Sequence, residues 1–541
     1  MKFIKSILIV VVVFIGLIKT QPTEWRSYNG EGNNIKNKDL GIQYGPFGRL
    51  MKPKDFKAFS KPDFYNNLPM VREVSNMLCN QESLIMSTEH LTDMFNMWGQ
   101  FLIHNLALSK PLSLRWDIPV PKCDFYFDPQ CTGTKNMTYI RTRITEVPCT
   151  DLNTPDASDG KCYEQVNTLS SFIDANVVYG SDKATCVALR QWKDGLMISN
   201  ITDHGELPPL FIPGVSMDND ANIYPVKDLF YVGERRGNEN PGLMSLHVIF
   251  LREHNRMAKV FKGKHSEWSD EDIFQHTRSC VIEQIQKITY EEYLPIVLGG
   301  PLPSYSGYNP DLSPLVSNEF TTAAFRYGHS EVGPNIEYID ENGQRMSPLP
   351  IRHSYFNPKA MDIAGAEPIL RGLIYNEEQA IDLFVISDLR NFLFGNPGSG
   401  GFDLVCRNLQ RNRDHGIPLY NEVRQNLGLR PVKTWSDITS NIATQNRLKN
   451  AYGDVNLIEL FVGGLAEDHY ENSVVGQTFY TILREQFLRT RLSDRFWYER
   501  DEIKKVNSEC EPVSFSELVR RNTKNMNNLP ANLFKIVNHY K

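Results

Sequence analysis

Trp98-Gly99-Gln100-Phe101-Leu102-Ile103-His104-Asn105 reads as an apolar helix carrying two polar side chains, Gln100 and His104, four positions apart. That spacing puts both on one helix face. A neutral imidazole and an amide on an otherwise greasy face are costly to bury without partners. Either they meet buried polar groups, or they line a cavity where chemistry happens.

Three further segments bear on that choice. Gly233-Glu234-Arg235-Arg236-Gly237-Asn238-Glu239-Asn240-Pro241 leads into Gly242-Leu243-Met244-Ser245-Leu246-His247. Pro241 suits the first position of a helix, with Asn240 as its N-cap. Leu243, Leu246, His247, Phe250, His254 and Met257 then recur at helical steps. Arg236 and Glu239 stand just before that helix, where the backbone can aim them at one place. In Thr321-Thr322-Ala323-Ala324-Phe325-Arg326-Tyr327-Gly328-His329-Ser330, small residues let a helix approach something large and flat, and Gly328 permits close backbone approach. Cys406-Arg407-Asn408-Leu409-Gln410-Arg411-Asn412-Arg413-Asp414-His415-Gly416-Ile417-Pro418 is stopped by Gly416 and Pro418.

In this order, the four segments resemble the animal-type haem peroxidases, the group that includes myeloperoxidase, thyroid peroxidase, peroxidasin and peroxinectin. The stretches 67–76, 171–181 and 288–295 add to the likeness, which runs from about Thr23 to the C-terminus. With no appended module, the chain looks most like the secreted peroxinectin-type branch. The resemblance implies a mainly α fold: one large helical domain, residues 21–541, with little β-structure. It implies haem b as cofactor. It implies reduction of hydrogen peroxide to water through a ferryl intermediate, with oxidation of small electron donors such as halides, thiocyanate or phenols.

Carried over residue by residue, His329 is the axial ligand of the haem iron, and Asn408 bonds its other ring nitrogen. His104 is the general base, Arg236 the electrostatic stabiliser, and Gln100 the group that orients the distal water or a halide. Arg326 and Arg411 match positions that pair with haem propionates, for which anionic carboxylates call for guanidinium partners. Glu239 matches one of two residues that relatives esterify to haem. Ile103 holds the other position and cannot form an ester, so at most one ester link is expected. Asn240 stands where myeloperoxidase has a methionine that links to a haem vinyl group, so that bond is excluded too. Fewer bonds imply a less distorted haem and poor chloride oxidation. The family's calcium site falls on Asn105, Ser170, the Phe172 carbonyl, Asp174 and Asn176, all oxygen donors. Asn105 stands where relatives have an aspartate, and the lost charge weakens the site. An Asx turn around Asp174 without metal is the alternative reading.

Composition agrees with a globular protein: 541 residues, 41% hydrophobic and 23% charged. A net charge of −6 argues against a nucleic-acid partner. The start Met1-Lys2-Phe3-Ile4-Lys5, followed by an apolar run from Ile7 to Ile18, reads as a secretory signal peptide over residues 1–20. No other segment is apolar enough to span a membrane. Asn136 and Asn200 head glycosylation sequons. Of nine cysteines, Cys123, Cys131, Cys149 and Cys162 cluster as expected disulfides, and Cys406 is expected as a buried thiol. Two other functions stay open: a fatty-acid dioxygenase, and a peroxinectin-type adhesion protein making cell-surface or matrix contacts. Against the first, Tyr327 lacks the dioxygenase spacing to His329. For the second, no Arg-Gly-Asp or Lys-Gly-Asp motif is present.

Overall fold

Helix α1 spans Val71–Leu78, α2 Asp93–Leu106, α3 Pro241–Lys264, α4 Asp270–Lys287, α5 Ala366–Tyr375, α6 Leu404–Asp414, α7 Gln477–Leu492 and α8 Phe515–Asn522. The structure is a computed structural model that describes residues 24–58, 60, 64–149 and 160–536. The expected signal peptide lies outside the described residues. Strands among the described residues pair only two at a time, as in β1 (Pro111–Pro119) with β2 (Asn136–Thr142). This is the mainly α architecture that the sequence implied.

Helix α2 is the axis of the core. Met94, Phe95, Trp98, Phe101, Leu102 and Leu106 are all buried, so the helix is apolar nearly all round. Each large side chain so buried stabilises the fold by about 1.5–3 kcal/mol. Phe101 stacks on Phe250 of α3 with ring centroids 5.2 Å apart. Trp98 meets Phe515 of α8 at 4.8 Å. Helix α3 also packs on α4 and α5, and α5 packs on α2. Its start is as expected: Pro241 opens the helix, and the Asn240 side chain accepts from the Leu243 amide at 2.8 Å.

Helix α6 is anchored by charge. Asp403 caps its first turn, accepting from the Cys406 amide at 3.1 Å. Arg72 of α1, 1% exposed, donates to Asp403 at 2.5 Å and to Asp124 at 2.8 Å. Removing one member of such a buried set costs about 3–5 kcal/mol, because a charge is left without a partner. At the other end Gly416 takes φ 65°, a left-handed conformation that stops the helix. Asn408 and Arg411 are thereby fixed on a clamped element.

Candidate active site

Gln100 and His104 do share one face of α2, and that face looks into a cavity of about 380 Å³. The loop before α3 supplies the rest of this wall. His104 sits between two carboxylates: its Nδ1 is 3.5 Å from Glu234 and its Nε2 is 3.5 Å from Glu239. Burial, then the charge of Arg236 and the neighbouring His247, hold the His104 imidazole well below its usual range, so it is neutral at neutral pH. Burial pushes the Glu239 carboxyl up to about 7. Arg236 donates from Nε to Glu234 at 2.9 Å, and from Nη2 to the carbonyls of His104 and Ala107 at 3.4 and 3.2 Å. Its charge therefore also caps the carbonyl end of α2.

Gln100 lines the cavity one turn before His104. Its amide donates to Glu239 at 2.8 Å and accepts from Asn240 at 2.9 Å. Both ends of the side chain are engaged within the protein, so its first task is to hold Glu239.

The facing wall comes from the 3-10 turn Ala324–His329 and from α6. The Asn408 amide shares a 2.8 Å hydrogen bond with His329 Nδ1. Arg326 donates to Asn408 Oδ1 at 2.6 Å and so holds the amide beside the ring. A neutral imidazole that ligates a metal through Nε2 carries its proton on Nδ1, the nitrogen beside Asn408, and donating that proton makes the ring more electron-rich. Burial and the Arg326 charge push His329 down to about 3, which keeps it neutral and able to ligate a metal. At Gly328 an added Cβ would lie 3.0 Å from both Asn96 and Glu331, so the close approach read from the sequence is real.

The cavity suits a flat dianionic macrocycle with a metal at its centre. Arg326, Arg407 and Arg411 line it, and none has an ion pair among the described residues. Burial and the nearby Arg411 charge push Arg326 down to about 9, the mark of positive charge awaiting an anion. Arg411 is held by Thr142 at the end of β2. Arg407 was missed by sequence reasoning, as was Tyr327, whose hydroxyl shares a 2.6 Å hydrogen bond with Tyr293 inside the cavity.

The family model for animal haem peroxidase matches residues 25–534. The chain belongs to the animal haem peroxidase family. It is 58% identical to peroxinectin A of Dictyostelium discoideum over 98% of this chain and 99% of that protein. The solved structure of peroxidase A from the same organism superposes with a TM-score of 0.93 at 59% identity, covering 95% of this chain and 100% of that one. A rice fatty acid alpha-dioxygenase matches with a TM-score of 0.77 at 21% identity, over 93% of this chain and 85% of that one; this is a likeness of fold alone. The chain is a haem-dependent peroxidase.

In this haem peroxidase the oxygen cluster beside α2 is knit together by amides. Asn105 donates to the Phe172 carbonyl at 2.7 Å, and Asn176 donates to the Asn105 carbonyl at 2.6 Å. Ser170 donates to Asp174, which also accepts from the Asn176 amide at 3.1 Å. Asn105 Oδ1 and Asn176 Oδ1 are buried without a hydrogen-bond partner. Among the described residues no group of three or more His, Cys, Asp or Glu could hold a metal, so a cation here would rely on one carboxylate and neutral oxygens.

Asn136 and Asn200 are both exposed, each opening a short strand. Cys123 pairs with Cys131 and Cys149 with Cys162, as expected. Cys406 is a free buried thiol, and so are Cys79 and Cys186. The third disulfide, Cys280–Cys510, ties α4 to the segment before α8 across 230 positions.

Proposed function

We propose that this peroxidase is secreted after removal of residues 1–20, is glycosylated at Asn136 and Asn200, and reduces hydrogen peroxide while oxidising bromide, iodide, thiocyanate or phenols rather than chloride. One observation carries the reading: His104 and His329 face a single cavity from opposite walls, with Arg236 beside the first and Asn408 behind the second. His329 would hold the haem iron. Arg326, Arg407 and Arg411 would meet the propionates. Bound haem supplies the redox chemistry that splits the peroxide O–O bond and draws electrons from the donor. His104 takes a proton from peroxide at Nε2 and returns it to the departing oxygen, which leaves as water. Arg236 cannot exchange that proton; its fixed charge stabilises the negative charge that develops.

Donor choice follows from the cavity wall. Ile103 lines the cavity where an ester-forming aspartate stands in relatives, and Asn240 is tied to Gln100 and the start of α3. Glu239 is left as the one residue able to form an ester. Steady-state turnover of the purified protein with each halide is the test. Bromide, iodide or thiocyanate should be oxidised and chloride should lag far behind; equal rates with chloride and bromide would refute the assignment.

The pH profile is a second check. Because burial, Arg236 and His247 lower the pKa of His104, the base stays neutral below the ordinary histidine value of 6.5. The rate of reaction with peroxide is expected to stay level as pH falls through 6.5 and to decline only in more acid solution. A half-maximal rate at or above 6.5 contradicts this.

Calcium, on this proposal, binds weakly at Asn105, Ser170, the Phe172 carbonyl, Asp174 and Asn176. The two partnerless amide oxygens and the buried Asp174 support the assignment. Ligand charge tunes calcium affinity, so Asn105→Asp should tighten binding by roughly tenfold or more. Calcium titration of the two proteins reads this out, and an unchanged affinity removes Asn105 from the site.

A further inference from the structure

Glu234 lies between the base and the cation without touching the cavity itself. It is 2% exposed. Its Oε1 accepts from Arg236 Nε at 2.9 Å, and its Oε2 accepts from the Arg236 backbone amide at 2.8 Å. The same Oε2 is 3.5 Å from His104 Nδ1. That nitrogen is buried and has no hydrogen-bond partner among the described residues. The cavity lining includes His104 and Arg236 but not Glu234, so this carboxylate can act only through them.

A neutral imidazole carries one proton, on Nδ1 or on Nε2. With the proton on Nε2, a bare Nδ1 would face a carboxylate oxygen, lone pair against lone pair. With the proton on Nδ1, the N–H points at Glu234, and Nε2 presents its lone pair to the cavity. Glu239 competes for the ring from the Nε2 side at the same 3.5 Å distance. It is the weaker competitor, because two N–H groups of Arg236 hold both Glu234 oxygens in place beside Nδ1, whereas Glu239 is held by one amide. Only the Nδ1–H form can accept a proton from peroxide at Nε2.

We propose that Glu234 is a positioning residue that fixes His104 in the Nδ1–H tautomer while clamping Arg236, so that one carboxylate sets both the base and the cation. The inference rests on the peroxidase reading above and goes deeper into it. Carboxylate partners of this kind typically change rates by about 10- to 100-fold when removed. Glutamine at 234 would offer one acceptor in place of two, so either Arg236 or His104 would face an N–H.

The experiment uses ¹⁵N-histidine-labelled holoprotein in the ferrous carbon-monoxide form, which is diamagnetic, with His104 assigned by comparison with His104→Gln. Wild type should show the proton on Nδ1. Glu234→Gln should lose that signature and slow the peroxide reaction by about 10- to 100-fold at unchanged haem content. Glu234→Asp should restore the signature. An Nε2–H tautomer in the wild type overturns the proposal, and so does a wild-type tautomer in Glu234→Gln. If Glu234→Gln fails to fold, the wild-type spectrum decides alone. If the protein takes up no haem, the proposed function fails, while the His104 tautomer remains readable in the haem-free chain and judges Glu234 separately.

Discussion

His329→Ala is expected to yield a folded chain with no Soret band and no peroxidase turnover. The imidazole sits at the end of the turn Ala324–His329, kept neutral by burial and held at Nδ1 by Asn408. Alanine removes the nitrogen available to iron and leaves the Asn408 amide without its partner. The orphaned polar group costs about 1–3 kcal/mol, a loss that a core of this size absorbs. Loss of the ligand itself should exceed the roughly 10- to 100-fold effect of changing a ligand's supporting partner. Haem absorbance per mole of protein and far-ultraviolet circular dichroism give the two readings. A variant that keeps its haem and its turnover removes His329 from the site.

His104→Ala should bind haem normally and react with peroxide about 10²- to 10⁴-fold more slowly, the span that general acid–base catalysis supplies. That corresponds to about 3–5 kcal/mol of transition-state stabilisation. The loss should appear in the step with peroxide and not in the step with the donor, because His104 faces Glu234 and Glu239 rather than Arg326, Arg407 and Arg411. Stopped-flow mixing with peroxide separates the two steps. A rate within about tenfold of wild type would move the base elsewhere, with Glu239 the next candidate.

The parts of this site written in the sequence are those fixed by local signals. Gln100 and His104 lie one turn apart on a helix whose apolar run marks it as buried. Asn240 and Pro241 announce the start of α3, and Gly416 announces the end of α6. Each of these needs only a few neighbouring residues. What the sequence concealed depends on partners far along the chain. Glu234 meets His104 across 130 positions, and nothing local says that the two are neighbours. The Asn408 amide is held by Arg326, 82 positions away. Gln100 is joined to Glu239 and Asn240, which lie in another segment. Cys280 and Cys510 are brought together only by the docking of α4 against the C-terminal segment. Arg407 resembles any helical arginine until the cavity brings three guanidinium groups together, none in an ion pair among the described residues.

The central claim is that an iron porphyrin lies between His329 and His104. Its most direct test is the absorption spectrum of the purified protein, produced with haem supplied, before and after addition of hydrogen peroxide. A Soret band that shifts on mixing and returns when a donor is added is the predicted result. A colourless protein, or a haem band indifferent to peroxide, would contradict it.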